Sequence, residues 1–143
     1  MTAWDLDLPA RTPPDTRPLI AVVEDNADIR ALLDEVLRGA NYRTVLCPSA
    51  TQAAQVLRTA PPHLVIQDYW LEAPEAGEQL LVQLETDPRL QAIPVIVCSA
   101  RFGQGRGERR QMEARGHAVL AKPFRPAALL ALIQEQLGRG GPG

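Results

Sequence analysis

Residues 62–70 read PHLVIQDYW, an apolar run that ends on one carboxylate, Asp68. Leu64, Val65 and Ile66 follow a break at Pro61 and Pro62 and are partly β-branched. A run this short, bounded by turn residues, reads as an interior strand of a parallel sheet. In such sheets ligands gather outside the carboxyl ends of the strands, where the strand order reverses. Asp68 stands at that edge. Taken alone it serves equally well as a residue that begins a loop or caps the next helix, so the flanking sequence has to decide.

Outward from this run, strand and helix signals alternate. The first strand is Leu19–Val23, stopping on Glu24 and Asp25. A helix capped by Asn26 follows, with Ile29, Leu32, Leu33, Val36 and Leu37 on one stripe and Gly39 as its expected stop. The second strand spans about Tyr42 to Cys47 and is mixed in polarity, as suits an edge. Its helix starts at Ser49, packs Ala53, Val56 and Leu57, and ends at Pro61. After Asp68 come a polar loop and a third helix carrying Leu80, Leu81 and Leu84, broken at Asp87–Pro88. The fourth strand, Ile93–Cys98, ends on Ser99 and Ala100. A short fourth helix is expected from about Glu108 to Arg115. The fifth strand, Ala118–Ala121, ends on Lys122–Pro123, and the last helix opens with Pro126 in its first turn and buries Leu129, Leu130, Ile133 and Leu137. Helices of this length between strands make right-handed crossovers and a parallel sheet covered on both faces.

The bulk composition agrees with a single α/β domain. The chain has 143 residues, 45% hydrophobic and 22% charged, enough to bury one core without disulfide or metal staples. Residues 1–17 are rich in proline and polar groups, with Trp4, Leu6 and Leu8 as the candidates for docking on a surface. The domain is placed at 18–137, and residues 138–143, GRGGPG, are expected to form a flexible tail. A net charge of −2 supplies no basic field for nucleic acid. Arg106, Arg109 and Arg110 are read as a solvated face. Cys47 and Cys98 read as free buried thiols, consistent with a reducing compartment. No apolar run approaches bilayer length and no signal peptide is evident, so a cytoplasmic protein without a membrane partner is expected. His63 and His117 each precede a strand and are expected at the surface; Phe124 is expected to pack in the core.

The strand ends carry the chemistry. Glu24 and Asp25 leave strand one, Asp68 strand three, Ser99 strand four and Lys122 strand five. Carboxylates brought together repel unless a cation sits among them. Oxygen ligands with room for water suit Mg²⁺. A hydroxyl donor and a compact ammonium are what a phosphoryl group requires, and an aspartate can accept that group as a nucleophile. The set points to reversible aspartyl phosphorylation.

The pieces LIAVVEDN, PHLVIQD, IPVIVCSA and LAKPF, in this order at the strand ends, resemble the receiver domain of bacterial two-component response regulators over roughly Arg17 to Leu137. The resemblance implies a flavodoxin-like, doubly wound five-stranded sheet in the order 2-1-3-4-5. It implies Asp68 as phosphoacceptor, with Ser99 and Lys122 on the phosphoryl oxygens. Mg²⁺ would be held by Asp25, Asp68 and the Trp70 backbone carbonyl, with Glu24 acting through water. The Lys122–Pro123 bond is expected to be cis. A histidine kinase or phosphotransfer protein would be the donor and an unknown downstream protein the target, with homodimer pairing through the face of the fourth helix, fifth strand and fifth helix.

Three departures bear on how such a domain would signal. Glu72 stands where the family has a proline, and Gly77 falls one residue late, so the loop carries an insertion. Val119 occupies the place of the aromatic switch residue. The stretch RFGQGRGERR after Ser99 is glycine-rich and basic, and Trp70 and Arg101 hold the two positions that flank the phosphoryl group in the family. The leading expectation is a stand-alone phosphoacceptor module, not an enzyme on other substrates. The alternatives are a degenerate receiver acting as a phosphate-independent scaffold, favoured by Val119 and the altered loop, and a small phosphatase with an aspartyl-phosphate intermediate. The phosphatase lacks a second acid/base group beside Asp68 and a cap to exclude water.

Overall fold

The computed structural model describes residues 15–69, 71, 74–100 and 107–140. Trp4, Leu6 and Leu8 of the N-terminal segment, Trp70, Glu72, Arg101, Gly103, Gly105 and Arg106 lie outside the described residues, as do 141–143.

Among the described residues strand and helix alternate as expected: β1 (Leu19–Val23), α1 (Ala27–Gly39), β2 (Arg43–Cys47), α2 (Ala50–Thr59), β3 (Leu64–Asp68), α3 (Pro74–Thr86), β4 (Val95–Ser99), α4 (Gly107–Ala114), β5 (Ala118–Ala121) and α5 (Pro126–Gly140). The strands form one parallel sheet in the order β2-β1-β3-β4-β5. β3 and β4 are buried at every position and β1 at all but its first, while the edge strand β2 stays mostly half-exposed. That gradient is the one the apolar runs prescribe, because central strands are covered on both faces.

Side-chain alternation splits the core in two. Ile20, Val22, Leu64, Ile66, Ile96 and Cys98 face α1 and α5, meeting Leu33, Leu37, Leu129 and Ile133. Val23, Val65, Val95, Val97 and Val119 face the other way, toward Leu57, Leu80, Leu81, Leu84 and Met112. Phe124 packs, partly buried, against the first of these clusters. Cys47 and Cys98 are free and buried, and burial pushes their thiols up to about 11 and about 12. Both are inert packing residues at neutral pH.

The caps behave as read at one end of the helices and differently at the other. The Asn26 side chain accepts from the Ile29 N–H and that of Ser49 from the Gln52 N–H. Gly39, however, stays inside α1. The chain turns instead at Asn41, which takes the left-handed conformation (φ 71°), while the Tyr42 N–H donates to the Leu37 carbonyl at 3.1 Å. Asparagine tolerates that region better than other residues with a Cβ, so it can end a helix as glycine does. At the chain's other end α5 runs through Gly138 to Gly140 instead of stopping before them. Helix is maintained there by the partly buried Leu137 and by an Arg139–Glu135 pair at 3.0 Å one turn apart.

Candidate functional site

The carboxyl ends of β1, β3, β4 and β5 converge on one edge of the sheet. In the β1–β3 register Val23 lies opposite Gln67, so the next residues on each strand, Glu24 and Asp68, come side by side. Ser99 closes β4 opposite Ala121, and its carbonyl accepts from the Lys122 N–H at 3.0 Å. The Lys122–Pro123 peptide that follows is cis, as the resemblance implies.

Carboxylate oxygens of Glu24, Asp25 and Asp68 lie within 4.8 Å of one another, an arrangement able to hold a metal ion. Glu24 is 2% exposed, Asp68 8% and Ser99 0%; Asp25 stands exposed at the rim. Lys122 reaches in from β5, its Nζ 2.8 Å from Glu24 Oε1 and 3.4 Å from Asp68 Oδ2. Burial pulls the Lys122 ammonium down, but the Glu24 hydrogen bond and the charges of Asp68 and Glu24 outweigh it, so its pKa stands above the ordinary lysine value. One ammonium cannot neutralise three carboxylates, so the site keeps a negative excess that a divalent cation would match. The donor set is oxygen throughout, which fits a hard cation.

Glu24 is committed at both oxygens. Oε1 takes Lys122, and Oε2 accepts the Asn26 N–H at 3.2 Å. Arg30, on α1, steadies the same turn by donating to the Glu24 carbonyl at 2.9 Å. Trp70, whose carbonyl is an expected ligand, and Arg101, expected to flank the site, lie outside the described residues. Beside Lys122 an apolar groove of about 360 Å³ opens between α1 and the start of α5, lined by Ile29, Leu32, Leu33 and Phe124. Leu32 is 57% exposed there, although its place in the α1 stripe marked it as core.

His117 departs from expectation. It is 8% exposed, not a surface residue, and its Nε2 donates to Glu85 Oε2 at 2.6 Å. His63 is exposed, and its Nδ1 accepts the Leu19 N–H at 2.9 Å. Neither histidine belongs to the acidic edge.

Residues 20–134 match the response regulator receiver domain family. The chain is 30% identical over 124 residues to the phosphate regulon transcriptional regulatory protein PhoB of Pseudomonas aeruginosa, a match covering 87% of this chain and 53% of PhoB. The chain thus spans about half the length of that relative. The chemotaxis response regulator CheY4 of Vibrio cholerae superposes with a TM-score of 0.76 at 20% identity, covering 85% of this chain and 99% of CheY4. The receiver domain of the sensor histidine kinase PA1611 from Pseudomonas aeruginosa PAO1, a structure with magnesium coordinated in its active-site cleft, superposes at 0.72 with 24% identity, covering 86% and 99%. Fold, strand-end residues and family match agree: this chain belongs to the response regulator receiver domain family.

Proposed function

We propose that the domain accepts a phosphoryl group on Asp68 from a phosphohistidine of a histidine kinase or phosphotransfer protein. The observation that carries this is the three-carboxylate edge with Lys122 reaching across to both Glu24 and Asp68. An Asp68 oxygen attacks phosphorus as the P–N bond of the donor breaks; an acyl phosphate forms and the imidazole leaves, taking a proton from solvent. Lys122 pairs with the phosphoryl oxygens as they arrive, and Ser99 donates its hydroxyl to one of them. Glu24, already held by Lys122 and Asn26, would act on Mg²⁺ through water, while Asp25, Asp68 and, as the resemblance implies, the Trp70 carbonyl would hold it directly. Mg²⁺ bound there supplies charge neutralisation between the carboxylates and the phosphoryl oxygens, and magnesium in the cleft of the PA1611 receiver supports that choice of ion.

In this reading the domain is a regulatory phosphoacceptor and not an enzyme on other substrates. The apolar groove beside Lys122 offers the donor protein a surface while its phosphohistidine faces Asp68. Output passes to a downstream protein, and two copies would pair through α4, β5 and α5. The two free buried thiols fit a reducing compartment, and a cytoplasmic place is proposed on that ground; none of the described helices is long and apolar enough to cross a membrane. Intact-mass spectrometry after incubation with Mg²⁺ and a small acyl-phosphate donor tests the proposal. One phosphoryl adduct on wild type and none on Asp68→Asn is expected. No adduct on wild type, with Mg²⁺ binding intact and a histidine kinase also tried, would turn the reading to a phosphate-independent scaffold.

A further inference from the structure

Cys47, Val23, Gln67, Val97 and Val119 stand side by side across the sheet, one from each strand, and all but Gln67 are apolar. Gln67 is 0% exposed. Its Nε2 donates to the Gly77 carbonyl at 2.8 Å, and its Oε1 is buried with no hydrogen-bond partner among the described residues. A buried amide left half satisfied costs stability that an apolar residue of the same shape would not. The contact it makes is specific in place. Gly77 lies in the first turns of α3, and a Cβ built there would stand 2.5 Å from the Tyr69 carbonyl oxygen, so the α3 backbone is pressed against the residue that follows Asp68.

We infer that Gln67 is a positioning residue for the phosphoacceptor: by tethering Gly77, it holds the start of α3 against Tyr69 and so sets the path on which the chain leaves Asp68. The Gly77 carbonyl does not need Gln67 for its own satisfaction, since helix geometry offers it the amide of Leu81 four residues on. The tether therefore acts on the position of the turn and not on the integrity of α3. The inference rests on Asp68 being the phosphoacceptor of a metal-binding site, and it assigns to the residue beside it the task of aiming that carboxylate.

The test is Gln67→Met in the full chain. Methionine keeps the length of the side chain, removes the unpaired oxygen and cannot donate to Gly77. Thermal unfolding, Mg²⁺ affinity by titration calorimetry and the rate of phosphorylation by acetyl phosphate are compared with wild type. The expected result is a melting temperature equal to or above wild type with Mg²⁺ affinity lowered about five-fold, the scale of one net hydrogen bond. The phosphorylation rate should fall at low Mg²⁺ and recover in part at saturation. A merely structural glutamine would lower the melting temperature and leave affinity and rate within two-fold; that outcome overturns the inference while leaving the phosphoacceptor reading intact. A wild type that takes up no phosphoryl group overturns the reading itself. Should Gln67→Met not fold, amide hydrogen exchange of wild-type residues 75–77 carries the test: slowing on adding Mg²⁺ is expected, and equal exchange overturns the inference.

Discussion

The two ends of the sheet each gather carboxylates and cations. At the carboxyl ends of the strands, Glu24 and Asp68 share Lys122, and Asp25 stands beside them without an ion pair among the described residues. At the amino ends, just before β5, Arg115 lies between Glu78 and Glu85 of α3 and binds each carboxylate with two hydrogen bonds of 2.7–3.0 Å. His117 adds a third donor to Glu85. All four oxygens of that pair have a donor in fixed geometry, which is how a guanidinium satisfies carboxylates. The acidic edge is open by contrast: an exposed carboxylate at its rim and more negative charge than one lysine can offset. A closed set of this kind holds elements together, here α3 to the approach to β5. An open set leaves room for the cation and phosphoryl group proposed to bind there.

Lys122→Met should give the largest effect. With chelator present it leaves buried Glu24 and Asp68 without their cation, at a cost of about 3 kcal/mol by urea unfolding. Adding Mg²⁺ should restore more stability to this variant than to wild type, because a second cation then fills the same deficit. A variant as stable as wild type in chelator would show that the edge is not short of positive charge, and the contrast between the two ends would fail.

Arg115→Met comes next. The side chains of the cluster are between a quarter and two-fifths open to solvent, so its loss should cost about 2 kcal/mol, below the figure for a fully buried pair. Here Mg²⁺ should change nothing beyond its effect on wild type, and the phosphorylation rate measured below the melting range should stay at the wild-type value. A metal-dependent rescue would mean that the two ends are coupled.

Glu85→Gln sharpens the contrast through pH. The Arg115 hydrogen bonds, against the opposing effect of burial and with help from His117, hold the Glu85 carboxyl below the ordinary glutamate range. A carboxyl depressed in the folded state binds fewer protons there than in the unfolded chain. Its stabilisation is thus complete above the ordinary glutamate value and fades as pH falls through the depressed one. Wild type should lose this contribution on acidification. The glutamine variant, weaker by about 1 kcal/mol at pH 7 for its lost charge-assisted bonds, should lose less. Parallel acid-unfolding curves would show that the Glu85 charge does not hold the Arg115 cluster together.

The two ends also differ in how far the sequence announces them. The acidic edge was legible because each of its residues terminates an apolar run: LIAVV before Glu24, LVIQ before Asp68, VIVC before Ser99 and AVLA before Lys122. Parallel strands bring their carboxyl ends together whatever the loops do, so local patterning alone assembles the site. The caps at Asn26 and Ser49 follow from the same local rules, whereas the strand order is implied only by the family resemblance and not by any local pattern. Arg115, Glu78, Glu85 and His117 carry no such signal. Their contacts span 30 to 37 residues and depend on how α3 lies against α4 and β5, which no periodicity encodes. His117 looked exposed because it precedes a strand, yet the neighbouring carboxylate lets a polar ring be buried. Gln67 closes an otherwise apolar run and carries no signal of its own, and α1 and α5 include the glycines expected to stop them because glycine is only a weak stop where neighbouring contacts favour helix.

The smallest effect expected is the one that separates the two ends by sign. Asp25 is the exposed member of the acidic edge and has Glu24 and Asp68 as close neighbours of like charge. Asp25→Asn removes one of three mutually repelling charges at the cost of no ion pair among the described residues, so in chelator it should stabilise the fold by a few tenths of a kcal/mol. The same amide replacement at Glu85 destabilises. With Mg²⁺ present the order at Asp25 should invert: wild type gains from binding by mass action, and the variant, lacking a charged ligand, gains less. Urea unfolding of both variants with and without Mg²⁺ makes four comparisons in one experiment. Only an edge held open for a cation yields a carboxylate whose removal helps the empty protein and harms the loaded one. If Asp25→Asn is destabilising in chelator, the carboxylate is a structural member like Glu85, and the excess charge at the strand ends is not what distinguishes the site.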